Sequence, residues 1–195
     1  MRQILRTIPF LVLALDLCAH AEPGVFPERF LVLGPLPAPA PLFGSGPAEE
    51  GPDPAHLDPR EGKAVPWLGG SASWKAVDAS AGGVALTGGT GQVAFLAVYM
   101  ENPRWQKLAF RLEGSGSASL SCEGSLLARL EGGKGKAERA FARGGYPLLL
   151  RAAPPEAGQE WRLALSVAPG GVARPEPPAF GLDPARLPAR FEEIK

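Results

Sequence analysis

Apolar and polar residues alternate in several segments of the central part of the chain. The alternation is clearest in residues 107–113, 126–131 and 161–167, where every second side chain is apolar. Successive side chains of a β-strand point to opposite faces, so this period of two predicts strands with one buried and one solvated face. Leu126, Ala128 and Leu130, for example, are predicted to share the buried face of their strand.

The spacing of the turns predicts the architecture. Glycine pairs and an Asn-Pro step separate the alternating segments at intervals of roughly 8–12 residues, which is typical of sandwiches and barrels. Residues 93–100 are apolar or aromatic throughout, which predicts a central strand covered on both faces. The chain therefore predicts an all-β fold, a jelly-roll-like antiparallel β-sandwich of about eight or nine strands.

Composition divides the chain around this sandwich. Residues 22–168 are predicted to form the sandwich domain, whose first apolar strand ends at Gly34-Pro35. Residues 38–64 carry so many Pro, Gly and Ala residues that they predict a long surface loop. Residues 169–195 are again Pro-rich and are predicted to form a C-terminal tail.

The first 21 residues have the pattern of a signal peptide. Arg2 and Arg6 precede an apolar stretch at residues 8–17, and the Ala-His-Ala sequence at 19–21 predicts cleavage after residue 21. The protein is therefore predicted to be secreted or periplasmic. The apolar stretch is shorter than the roughly 20 residues that a membrane helix needs, so no stable membrane span is expected after cleavage.

The two cysteines bear on anchoring and on stability. Cys18 would carry the lipid of a lipoprotein, but Leu17 precedes it where lipoprotein signals need a small residue, so this alternative is less favoured. Cleavage leaves Cys122 as the one cysteine of the mature chain, which excludes an internal disulfide. Its place in the alternating stretch Ser117–Cys122 predicts a small, buried apolar side chain.

The charge balance does not indicate a polyanionic partner. The chain has 20 Lys and Arg against 20 Asp and Glu residues, which gives a formal net charge of zero. Loss of two arginines and one aspartate with the signal peptide leaves the mature chain slightly acidic. Since no basic surface is indicated, a nucleic acid or an anionic membrane is not a predicted partner.

Few side chains suited to catalysis remain after signal cleavage. General acid–base chemistry most often uses a histidine or paired carboxylates, and the one remaining histidine is His56 in the Pro-rich loop. Asp53 and Asp58 lie beside it, so a small metal site with these three ligands is one hypothesis. The spacing matches no established ligand signature, and a solvated turn is the alternative. The sequence therefore predicts no enzyme and no cofactor.

Aromatic side chains are the remaining candidates for a ligand surface. Trp67, Trp105 and Tyr146 are predicted as ligand-binding residues, because their rings combine an apolar body with a polar group. The alternative for the two tryptophans, which lie beside turns, is that they cover the ends of the core. Trp74 and Trp161 are predicted to be structural.

Three segments resemble one known family. The sequences FLVLGPLP (30–37), GGYPLLLR (144–151) and EWRLALSV (160–167) resemble the first and last strands of galactose-binding-like jelly rolls, which accompany exported bacterial hydrolases. The resemblance covers about residues 28–168 and implies a β-sandwich. Residues 113–133 lack the acidic residues and the Asn-Gly-Lys turn of that family, so no binding residue is transferred.

The resemblance and the export pattern together imply a function outside the cytoplasm. We expect a secreted, non-catalytic binding or interaction module, with carbohydrate as a candidate ligand and a glycan or an envelope protein as candidate partners. The alternative is an accessory domain of an exported peptidase or glycoside hydrolase whose catalytic part lies elsewhere, since the Pro-rich tail has the composition of a linker. The oligomeric state stays open.

Overall fold

The computed structural model describes residues 24–38, 57–67, 70–80, 83–156, 159–170 and 175–184. The predicted signal peptide and most of the predicted 38–64 loop lie outside these ranges. The described residues form thirteen strands: β1 (Arg29–Pro37), β2 (Ala64–Trp67), β3 (Gly70–Ser73), β4 (Lys75–Asp78), β5 (Val84–Leu86), β6 (Gln92–Asn102), β7 (Gln106–Gly114), β8 (Ser117–Cys122), β9 (Ser125–Leu130), β10 (Lys134–Phe141), β11 (Gly144–Ala153), β12 (Trp161–Gly170) and β13 (Ala179–Gly181).

Strands β5 to β12 form two antiparallel layers, with the orders β6-β11-β8-β9 and β5-β12-β7-β10. Consecutive strands alternate between the layers except at the β8–β9 hairpin. This is the connectivity of a jelly roll, which confirms the predicted fold class. The first layer is widened by β1, β4 and β13 into a seven-stranded large sheet, while β5-β12-β7-β10 is the small sheet and β2–β3 is a separate hairpin.

The inner core lies between the large and the small sheet. Leu108, Phe110 and Leu112 of β7 point into it, and β12 contributes every second residue, both as the alternation predicts. Cys122 is buried in the same cluster, which confirms its predicted environment. The period of two in the sequence therefore reflects contact with the facing sheet.

Strand β9 departs from the predicted phase. Leu126 is 51% exposed, whereas Leu127 packs against the inner core and both Ala128 and Leu130 are buried. A β-bulge is the cause, because the β8–β9 register shifts after Leu120 and one extra residue is inserted into β9. The prediction that Leu126 faces inward is therefore wrong.

The other face of the large sheet carries a second buried cluster, which we call the outer core. Residues 57–67, the β2–β3 hairpin and Trp74 cover β1 and β6 on this side. The Trp74 Nε1 donates a hydrogen bond to the Leu57 carbonyl oxygen at 3.3 Å. Strand β6 is thus buried on both faces, as predicted. Leu57 belongs to the predicted surface loop, yet it is fully packed here.

The sandwich extends beyond its predicted boundary at residue 168. Strand β12 continues to Gly170, and Ala179–Gly181 of the predicted tail pairs with β6 as strand β13. Prolines surround this short strand in the sequence, which is why the composition predicts a tail instead. The last eleven residues of the chain lie outside the described ranges.

Candidate ligand-binding site

Two strands share one side of β6 and leave a gap between them. Strand β1 pairs with β6 from Leu31, opposite Ala97, while the residues before Leu31 pair with β4. Strand β13 pairs with the next stretch of β6 and ends with Gly181 opposite Tyr99. The start of β1 and the end of β13 therefore lie next to each other along β6, but the two strands do not form one continuous strand. A cleft of about 620 Å³ opens there, which we call the edge cleft.

The edge cleft combines acidic with apolar side chains. Glu28 and Arg29 come from the start of β1, Glu101 from β6, Glu61 from the turn before β2, and Asp183 from the residues after β13. The remaining lining is apolar, aromatic or glycine: Val25, Phe26, Tyr99, Ala179, Phe180, Gly181 and Leu182. Such a mixture suits a ligand that has both an apolar face and hydrogen-bond donors.

The charges of the lining are unbalanced. Four carboxylates and one guanidinium group, that of Arg29, line the cleft, and Arg60 lies near its Tyr99 floor. The Arg29 Nε also forms an ion pair with Asp78 Oδ1 across β1 and β4, at 3.0 Å, so its charge is shared with a carboxylate outside the lining. A cleft with an excess of one sign of charge attracts the opposite sign and repels its own. The edge cleft therefore disfavours anionic ligands.

Tyr99 forms the buried floor of the edge cleft. Its hydroxyl donates a hydrogen bond to the Pro59 carbonyl oxygen at 2.8 Å, which ties the floor to the outer core. Burial raises the pKa of Tyr99 to about 12, and the negative charges of Asp58 and Asp183 act in the same direction, whereas Arg60 opposes them. The phenol therefore stays neutral at physiological pH and adds no charge to the site.

Phe26 gives the edge cleft an exposed aromatic ring. Its side chain is 52% exposed and lines the cleft. The neighbouring residue Val25 fixes the backbone here, because it exchanges two hydrogen bonds with Val167 of β12, at 2.8 and 3.0 Å. The segment before β1 thus bridges from the small sheet to the large sheet and carries Phe26 between them.

A side-chain clamp positions β13, the opposite wall of the cleft. The Gln106 Nε2 donates to the Glu176 carbonyl oxygen at 2.6 Å, and the Glu176 backbone N–H donates back to Gln106 Oε1 at 3.2 Å. Asn102 Oδ1 accepts the second hydrogen of Gln106 Nε2 at 2.8 Å. Both amide side chains are fully buried. Water cannot reach them, so these bonds satisfy their polar groups.

Asn102 also links two connections at the end of the sandwich where the Gln106 clamp lies. The carbonyl oxygens of Arg104, Phe141 and Ala142 lie 2.5, 3.2 and 2.7 Å from its Nδ2, and they share its two N–H donors. The β6–β7 turn and the β10–β11 connection are thereby held together. A rigid Asn102 fixes the orientation of the Gln106 amide, which in turn fixes Glu176.

The structure separates the three aromatic residues predicted to bind a ligand. Trp105 is 59% exposed in the β6–β7 turn, and it does not line the edge cleft. Trp67 is half-buried and packs against the outer core. Tyr146 lies in the inner core, where its ring meets Phe141 edge-on with centroids 4.8 Å apart. The buried Tyr146 ring has no open face for a sugar, which removes it from the binding set.

Of the three residues in the metal hypothesis, the structure places only one. Asp53 and His56 lie outside the described residues. Asp58 pairs with Arg60 at 2.9 Å and with Lys63. The hydrogen bond from Lys63 is the largest cause that lowers the pKa of Asp58 below its usual 3.8, against an opposing effect of burial. Within the described part of the chain, no three His, Cys, Asp or Glu residues group as metal ligands.

Sequence reasoning missed the residues that build the edge cleft. Phe26, Glu101 and Asp183 are far apart in the chain, and no local motif connects them. One feature of the sequence does point to a structural role for Asn102, which in turn contacts Gln106. Asn102 is the sole asparagine of the chain and precedes a proline at a strand end, a position where a side-chain amide commonly binds backbone groups.

Comparison of the chain with protein-family models and with curated proteins finds no match. In the ranges that the structure covers, no helix has the length and apolar character needed to cross a membrane.

Proposed function

We propose that the protein is a secreted or periplasmic, non-catalytic binding module that takes a glycan in the edge cleft. One observation carries the proposal: the same cleft is lined by the exposed ring of Phe26 and by four carboxylates. Its volume of about 620 Å³ lies within the range of roughly 300–1,000 Å³ that small-molecule sites have. The predicted signal peptide supports the compartment.

The chemistry of sugars matches this lining. A pyranose ring has an apolar face of C–H groups that packs on an aromatic ring, and its rim carries hydroxyl groups that donate hydrogen bonds. Carboxylates accept such bonds, and charge assistance makes them stronger than neutral ones. Phe26 supplies the ring, while Glu101 of β6 supplies an acceptor.

The excess of negative charge sets the preferred glycan class. Amino sugars carry a cationic ammonium group that four carboxylates attract, whereas sulfated glycans and uronic acids are repelled. We therefore expect the order amino-bearing, then neutral, then anionic glycans. Added salt weakens the binding of amino-bearing glycans most. The attraction between exposed charges falls off over a screening length of about 8–10 Å at physiological ionic strength, and this length shortens as salt is added.

A glycan array with matched variants tests the proposal. The protein without its predicted signal peptide, residues 22–195, is compared with Phe26→Ala and Trp105→Ala, which remove two aromatic rings of similar exposure. We expect Phe26→Ala to weaken binding at least tenfold and Trp105→Ala to leave it within twofold. Mass spectrometry of the recovered glycan distinguishes binding from hydrolysis, and the proposal expects the glycan unchanged.

Two outcomes contradict the proposal. Loss of binding in Trp105→Ala with retention in Phe26→Ala moves the site to the β6–β7 turn. Absence of binding to every glycan class by protein with a cooperative unfolding transition favours the alternative, an accessory domain of an exported hydrolase.

A further inference from the structure

Strand β13 is weakly anchored by its own residues. It has three residues, and it pairs with β6 alone at Tyr99–Glu101. Ala179 and Gly181 are exposed, and of its side chains only the partly buried Phe180 packs against the inner core. So small a buried area and so few ladder bonds do not by themselves hold a chain segment, because ordering it costs conformational entropy.

The Gln106 clamp anchors the segment before β13, in addition to the buried Pro178 and to Leu182, which packs against the outer core. A side-chain amide has the same donor and acceptor as a peptide group, so the two bonds between Gln106 and Glu176 replace one pair of a β-ladder. Because Gln106 is buried in full, release of Glu176 leaves its amide without these partners. The exposed ion pair of Arg104 with Glu176, at 3.3 Å, contributes far less.

We infer that Gln106 is a positioning residue that holds β13 as a strap over the edge of β6, and that this strap forms one wall of the edge cleft. Residues 179–183 of the strap line the cleft, and β13 also covers the backbone of Tyr99–Glu101. When Glu176 leaves Gln106, the cleft opens and the β6 edge becomes accessible. The consequence for ligand binding rests on the proposed function, whereas the strap itself does not.

Substitutions at Glu176 isolate the clamp from the ion pair. Glu176→Pro removes the backbone donor to Gln106 Oε1 together with the ion pair, and Glu176→Ala removes the ion pair alone. Residue 176 precedes Pro177, which favours an extended or polyproline II backbone there, the region in which proline itself lies. Gln106→Met provides a second variant that keeps the side-chain length and loses both bonds to Glu176, together with the bond to Asn102.

Hydrogen exchange by mass spectrometry reads out the strap without any ligand. We expect Glu176→Pro and Gln106→Met to speed exchange at least tenfold in peptides covering 99–101 and 179–184, with strands β8 and β11 unchanged. Glu176→Ala stays within threefold of the parent protein. Equal exchange in Glu176→Pro, Glu176→Ala and the parent would overturn the inference, as would loss of protection throughout the sandwich in Glu176→Pro.

The same variants separate this inference from the proposed function. If the parent binds a glucosamine oligomer, Glu176→Pro binds it at least tenfold more weakly and Glu176→Ala within twofold. If the parent binds no glycan, the exchange result still decides whether Gln106 holds the strap.

Discussion

The two faces of the large sheet are buried in different ways. The inner face packs on the regular strands of the small sheet, and it forms a core of alternating side chains. The outer face is covered by an irregular segment, by a two-stranded hairpin and by one tryptophan, Trp74. The edge cleft borders this outer side, through Tyr99 and Leu182.

The difference separates stability from binding. A sheet packed on another sheet is constrained along its whole length, so it tolerates little local opening. An irregular cover has few ladder bonds and can vary in shape, which is why ligand sites occur mainly on loops carried by a rigid scaffold. The inner core is therefore expected to determine the global stability, and the outer side the recognition.

The largest effect is expected in the inner core. Phe110→Ala removes a ring that is buried on β7, one of the two central strands of the small sheet, and whose centroid lies 5.6 Å from that of Phe141. A cavity at such a site lowers the free energy of unfolding by about 3–5 kcal/mol. Urea unfolding measures it, and Arg111→Ala on the exposed face of the same strand is the control, expected within about 0.5 kcal/mol. A loss below about 1 kcal/mol would contradict the packing described for β7.

A smaller and more local effect is expected in the outer core. Trp74→Ala removes the side chain that joins the cover to β1 and β6. We expect a loss of about 2–3 kcal/mol, less than for Phe110, because the cover can open without unfolding the sandwich. Hydrogen exchange in Trp74→Ala is expected to rise more in residues 57–67 than in β8. The control Trp74→Phe keeps most of the stability, because it loses mainly the hydrogen bond to Leu57. An equal rise of hydrogen exchange in β8 would show that the outer core does not open independently of the inner core.

Tyr99→Phe tests the link between the floor of the edge cleft and the outer core. Loss of the hydrogen bond to Pro59 is expected to cost about 1 kcal/mol at neutral pH. The folded-state pKa of about 12 lies above the unfolded value of 10.0, so this contribution is complete below pH 10 and is lost as the pH rises toward 12. The stability difference between parent and variant should therefore shrink over this window in urea unfolding. A constant difference up to pH 12 would contradict the assignment.

The smallest effect is expected at the surface of the cover. Asp58→Asn breaks the ion pairs with Arg60 and Lys63, which are partly exposed, and is expected to cost at most about 1 kcal/mol. The folded-state pKa of Asp58 is lowered, so its contribution is present above 3.8 and is lost as the pH falls below that value. Unfolding at pH 7 and pH 3 measures the change, and a larger effect at pH 3 would have the wrong sign.

The sequence predicts the inner face well because its physical cause is local. Alternation in β7 and β12 follows from one buried and one exposed face, and the apolar run at 93–100 follows from burial on both faces of β6. The bulge in β9 is not predicted, because one extra residue reverses which side chains face inward without changing the composition of the strand. Strand β13 escapes because three residues between prolines are too few for a period.

The edge cleft is beyond local reasoning for a different reason. Phe26, Tyr99 and Asp183 come together only because β1 and β13 stop at the same point along β6. Binding of a ligand by an aromatic side chain requires exposure, and the packing exposes Trp105 but buries Tyr146. Prediction from composition therefore selected aromatic residues but not the surface that joins them.

The most direct test of the edge cleft as a ligand site is an NMR titration of the ¹⁵N-labelled protein, residues 22–195, with a glucosamine oligomer. The account predicts amide shifts concentrated in residues 25–29, 99–101 and 179–183, with little change at Trp105. Shifts centred on Trp105, or no shifts at millimolar oligomer, would contradict it.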